Sequence, residues 1–115
     1  MRWSIVGWAG ASAVMLGAFG AHALDGRVDD PHLLEVWDTG ARYHLIHAAA
    51  LAAIADREHV SPWVGRLWLA GIGLFSGSLY LMTLTGARWL GAITPLGGLA
   101  FISGWILLSR AAMRT

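Results

Sequence analysis

The chain is 115 residues long, 57% hydrophobic and only 13% charged, with no cysteine and a formal net charge of +1. Absent cysteine excludes disulfides, thiolate metal sites and thiol nucleophiles, and so small a charge leaves no basic patch for nucleic acid. Soluble domains usually carry about 25% charged residues, so a single membrane-embedded domain over 1–115 is expected, with loops too short to fold alone.

Four apolar stretches fill the sequence, about Trp3–Leu24, Gly40–Ala55, Trp63–Thr85 and Trp89–Ser109. All but the second match the ~20 residues that cross a ~30 Å hydrocarbon core. The expected fold is all-α, an integral membrane bundle of four transmembrane helices, with an amphipathic interfacial segment leading into the second.

The first stretch could pass for a signal peptide, because Ala21-His22-Ala23 resembles an A-x-A cleavage site. Its apolar run exceeds the ~7–15 residues of a usual signal h-region, so we expect it to be retained. Gly10, Ala13, Gly17 and Gly20 recur in steps of three and four and so share a helical face. Small residues let helix backbones approach closely in lipid, where packing replaces the hydrophobic drive. The same packing role is expected of Gly73 and Gly77 in the third stretch and of Gly97 and Gly98 in the fourth. His22 ends the first span, nearly opposite that stripe.

After the acidic link Asp25–Asp30, Asp30-Pro31 reads as a helix start, with Asp as N-cap and Pro at the first helical position. Leu33, Trp37, Gly40, His44, His47 and Leu51 then fall on one face, with Glu35, Asp38 and Arg42 on the other. A surface segment that plunges inward near Gly40 is expected, its slender, polar span placed centrally between the other three. Asp38 and Arg42 form an i,i+4 pair.

Ser76, Tyr80 and Thr83 make a polar line on the third span. The fourth carries Thr94-Pro95 one turn in, where a proline can kink a helix if neighbours satisfy the freed carbonyl. With the N-terminus inside, Arg2, Arg57, Arg66, Arg110 and Arg114 fall on the cytoplasmic side, against Arg27, Arg42 and Arg88 outside. That bias places both termini in the cytoplasm. Trp3, Trp8, Trp63, Trp68 and Trp105 are expected at the inner boundary, and Trp37 and Trp89 at the outer one.

Antiparallel threading gathers His22, Tyr43, His44, His47, Tyr80, Thr83 and Thr94 towards the outer leaflet, and Ser76 joins the candidate polar cluster. Ionisable residues inside a membrane are costly and mark a candidate site. Three readings stand side by side. The histidines are structural, bonding across helices to Ser76, Tyr80 or Thr94. Or His44 and His47 share a metal or haem, with His22 as a third ligand. Or the group lines a pocket for a proton, a lipid headgroup or a small solute. Bundle metal sites draw on carboxylates from facing helices, which these spans lack, so no metal or cofactor is assigned. No Gly-x-Ser-x-Gly elbow is present, and no motif specifies a reaction.

Several runs together carry a resemblance: Gly17-Ala18-Phe19-Gly20-Ala21-His22, Tyr43 with His47, Leu74-Phe75-Ser76-Gly77-Ser78-Leu79-Tyr80, Thr94-Pro95-Leu96-Gly97-Gly98 and Gly104-Trp105. Over nearly its whole length the chain resembles the small membrane proteins of the domain-of-unknown-function 423 family, to which the animal transmembrane protein 256 is similar. The resemblance implies a four-helix protein of the bacterial cytoplasmic membrane. It brings no activity, cofactor or partner. The family's Tyr-Gln-x-x-His arrangement has Gln where this chain has His44, and Gln bonds well but ligates metal poorly. Two functions are weighed: a non-enzymatic accessory, assembly or homo-oligomeric component, and a small channel, carrier or lipid-binding protein using the polar group.

Overall fold

The computed structural model describes residues 2–111, so Met1 and Arg114 lie outside the described residues. Helix α1 spans Trp3–His22 and α2 spans Pro31–Ile54. Helix α3 (Pro62–Gly71), a π turn (Ile72–Ser76) and α4 (Gly77–Thr85) run on as one rod, and α5 (Thr94–Ala111) follows. Among the described residues there is no strand. The segments Trp3–His22, Pro62–Thr85 and Arg88–Ala111 are each long and apolar enough to cross a membrane.

Local chemistry sets the ends. Asp30 accepts a hydrogen bond from the His32 amide at 2.9 Å, and Pro31 opens α2 where its missing N–H costs nothing. Ser61 caps α3 in the same way, accepting from the Trp63 amide. Gly86 closes α4 with φ of 73°, a left-handed cap that glycine reaches without strain. Pro95 does not kink a helix interior. Arg88–Ala92 forms a separate 3₁₀ turn and α5 starts at Thr94, so the proline sits in a first turn, where it fits.

The surface segment and the second span are one continuous 24-residue helix. Its buried stripe is Trp37, Gly40, Ala41, His44, His47, Ala48 and Leu51, while Asp38 and Arg42 form an exposed ion pair on the far side. The helices make a flattened row, 52 × 26 × 17 Å, in which α2 lies between α1 and the α3–α4 rod and α5 packs on that rod. Rings from α2 also reach α5.

Two apolar cores flank the middle of α2. One joins Val6, Ala9, Ala48, Leu51, Val64, Trp68 and Phe101; the other joins Leu24, Trp37, Ala41 and Tyr80. Trp37 and Trp68 therefore belong to the core and not to a boundary belt, and Trp105 turns towards His47. Trp3, Trp8, Trp63 and Trp89 remain exposed near the helix ends, where amphipathic rings suit an interface.

Large rings seat against missing side chains. A Cβ on Gly20 would strike the Trp37 indole, one on Gly71 the Phe101 ring, and one on Gly104 the Trp68 indole. At Gly97 it would strike the backbone of Phe75, which cannot rotate away. Gly98 has only a loose approach to Phe75, and Gly77 meets only its own helix. Of the expected stripe on α1, Ala13 and Gly20 turn inward beside Val6 and Ala9, whereas Gly10 and Gly17, like Gly73 on the rod, meet nothing within this chain.

Gly97→Ala is expected to destabilise the fold by about 1–3 kcal/mol through overpacking. Gly17→Ala, with nothing to strike, is expected to be neutral or slightly stabilising. Unfolding titrations of both variants in mixed micelles check the contrast.

Candidate functional site

Two of the polar side chains clamp the α3–α4 rod onto backbone carbonyls of α2. Ser76 Oγ donates to the Gly40 carbonyl at 2.7 Å, and Thr83 Oγ1 lies 3.0 Å from the carbonyls of Leu33 and of Leu79 in its own helix. The donors are seven residues apart on one helix and the α2 acceptors seven apart on the other, so the pair fixes a single antiparallel register. Gly40 makes the clamp possible. A Cβ there would lie 3.2 Å from Leu79 Cβ and 3.3 Å from the Tyr80 ring. The π turn ends at Ser76 and delivers its hydroxyl to this carbonyl. On the other flank of α2, Trp37 Nε1 donates to the Leu16 carbonyl of α1 at 2.8 Å.

The two buried histidines occupy the level between the cores and point to different helices. His44 Nδ1 lies 2.9 Å from Tyr80 Oη of α4, and its Nε2 lies 3.2 Å from Ser12 Oγ of α1. Ser12 donates its one hydroxyl proton to the Ala9 carbonyl at 3.1 Å. Ser12 must then accept from His44, so the Nε2–H tautomer follows, and Tyr80 donates to Nδ1. This is the ordering that satisfies every donor; it is assigned from the network.

His47 takes the opposite tautomer. Trp105 Nε1 of α5 can only donate, and it lies 3.0 Å from His47 Nε2. Nδ1 must therefore carry the proton, which it donates to the Tyr43 carbonyl at 2.8 Å. The His47 ring stacks on Phe101 with centroids 3.7 Å apart, and Trp68 and Trp105 meet it edge-on at 5.9 Å. Trp68 is fully buried and its indole N–H has no hydrogen-bond partner, a cost borne within this aromatic packing.

The expected site residues thus divide. His44 and Tyr80 are joined, Ser76 serves the α2 backbone, and Thr94 pairs instead with Ser78 at 2.6 Å. Tyr43 is half exposed and contributes its carbonyl, and its ring lies against Phe75, 4.8 Å between centroids. His22 lies exposed at the end of α1, apart from the group. His44 and His47 do not converge on a shared ligand position. Among the described residues no group of three or more His, Cys, Asp or Glu comes together.

The two histidines also do not sit at a helix end. Because α2 starts at Pro31, His44 and His47 sit mid-helix, opposite Ser12 at the middle of α1 and Phe101 near the middle of α5. Ser12, Trp105 and Ser78 complete the networks. Their signal in the sequence is faint, since a serine in a helix bonds its own backbone as readily and a tryptophan near a span end reads as a belt residue.

Interhelical side-chain bonds in membrane proteins average about 0.6 kcal/mol and reach about 1.7. Removing one partner strands the other and costs more, about 1–3 kcal/mol. His44→Leu and Tyr80→Phe are each expected to destabilise within that range. The double variant should cost clearly less than the sum, because the orphaned group is shared. Unfolding titrations of the four-protein cycle check this, and strictly additive costs would remove the bond.

The family described as "Protein of unknown function (DUF423)" matches residues 16–98. The chain is 49% identical over 108 residues to the membrane protein YwdK of Bacillus subtilis, covering 89% of this chain and 87% of that one. It is 45% identical over 106 residues to the membrane protein SAB0533 of Staphylococcus aureus, covering 89% and 86%. It is 39% identical over 110 residues to the membrane protein C1782.12c of Schizosaccharomyces pombe, covering 90% and 93%. No solved structure matches the chain.

Proposed function

The chain belongs to the DUF423 family of small multi-pass membrane proteins of unknown function, and from that premise we propose that it is a non-enzymatic membrane component working through helix packing. It acts as an accessory or assembly subunit, or as a homo-oligomer, and its partner is another transmembrane helix. The observation that carries this reading is one flank of α1, where Gly7 is exposed and Gly10 and Gly17 are half-buried. That helix sits at the edge of the row, packed mainly on α2, and its Gly7, Gly10 and Gly17 face open space. In lipid, such small residues favour close helix association.

The polar group supports the same reading. A carrier, channel or lipid-binding protein working through His44 and His47 needs ring nitrogens free to meet a solute. All four nitrogens are already engaged by Ser12, Tyr80, Tyr43 and Trp105. We place the protein in the bacterial cytoplasmic membrane with both termini cytoplasmic. The support is the gathering of Arg2, Arg57, Arg66 and Arg110 at one end of the bundle, where the opposite end has Arg27 and Arg88; Arg42 lies in the middle of α2 and is paired with Asp38.

Native mass spectrometry after gentle extraction tests this. The wild type is expected to emerge as a multimer or in a stoichiometric complex, and Gly10→Leu/Gly17→Leu to emerge as a folded single chain. A wild type that is strictly monomeric and alone would contradict the proposal.

A further inference from the structure

We propose that the groove between the start of α1 and the α2–α3 turn binds a monoanionic glycerophospholipid by its phosphodiester. The groove encloses about 500 Å³, within the range of small-molecule sites. It lies at one end of the bundle, apart from the mid-helix histidines, and nothing in the packing reading uses it.

Three guanidinium groups from separate elements line it: Arg2 before α1, Arg57 in the turn and Arg66 on α3. All three are exposed, and none pairs with a carboxylate among the described residues, where the ion pair formed is Arg42–Asp38. Asp56 and Glu58 share the lining. Three positive charges against two negative leave the groove one negative charge short of neutral, the charge of one phosphodiester. Guanidinium is also the side chain whose planar fork matches phosphate oxygens in pairs.

The rest of the groove says why the phosphate belongs to a lipid. Ile5, Ile54 and Leu69 form its apolar wall, and Ile5 is exposed on the outer surface of α1. A free phosphate has no use for that wall, whereas an acyl chain would run along it. Trp3 and Trp63 stand exposed at the same end, as rings at a headgroup level do. Arg66 is held over the Trp63 ring, 4.9 Å from its centroid, which keeps its charge at that level.

Thermal unfolding and native mass spectrometry of the full chain in detergent test this, with phosphatidylglycerol, phosphatidylethanolamine or inorganic phosphate added. One phosphatidylglycerol per chain is expected, with a raised melting temperature and about tenfold weaker retention of phosphatidylethanolamine. Arg57→Gln/Arg66→Gln should lose phosphatidylglycerol by roughly tenfold or more, with the lipid-free melting temperature lowered only slightly by loss of the Arg66–Trp63 contact. Should that variant not purify folded, Arg2→Gln carries the same expectation with a loss of about fivefold. Equal retention of both lipids, wild-type retention by the glutamine variant, or the same stabilisation by inorganic phosphate alone would each overturn the proposal.

Discussion

Everything in this bundle depends on how α2 is satisfied. Its buried face carries two imidazoles, which could not face hydrocarbon without leaving polar groups unmet, and its Leu33 and Gly40 carbonyls accept additional bonds from the α3–α4 rod. The other helices answer it group by group. α1 offers Ser12 and the Leu16 carbonyl, the α3–α4 rod offers Ser76, Tyr80 and Thr83, and α5 offers Trp105. Because each bond joins a different pair of positions, rotation or slippage of α1 would break two of them and of the α3–α4 rod three.

Close packing and polar satisfaction reinforce each other here. Gly40 brings the rod near enough for Ser76 to reach a helical carbonyl. Gly104 admits Trp68, whose ring closes one side of the His47 box, and Gly71 admits Phe101, whose ring stacks on that histidine. Dispersion and small-residue packing hold such helices together where hydrophobic drive is missing. The polar layer between the two apolar cores then selects one arrangement out of the many that packing alone would allow.

Much of this was legible from residue spacing, and the exceptions are instructive. The buried face of α2 is carried by a run of threes and fours from Trp37 to Leu51, and Asp30-Pro31 announces the start of the helix. The line Ser76, Tyr80, Thr83 likewise turns inward as its spacing implies. Helix rotation about the axis of α1 was not legible. The expected stripe turns inward at Ala13 and Gly20 but not at Gly10 and Gly17, and only the neighbours' shapes decide which members are covered. The π turn left no signature either, because one extra residue per turn changes no composition. Trp37, Trp68 and Trp105 show the same limit, since a tryptophan near a span end serves a belt or a core equally well.

Solid-state ¹⁵N NMR of the imidazoles in lipid reads directly whether the histidines are structural members, each locked by opposite partners. The network requires two neutral rings of opposite tautomer at neutral pH, with the proton on Nε2 of His44 and on Nδ1 of His47. Two distinct, static tautomer signatures, assigned by His44→Gln and His47→Gln, would bear it out. Identical tautomers, or signals averaged by exchange between the two nitrogens, would contradict it and reopen a mobile, ligand-accessible site.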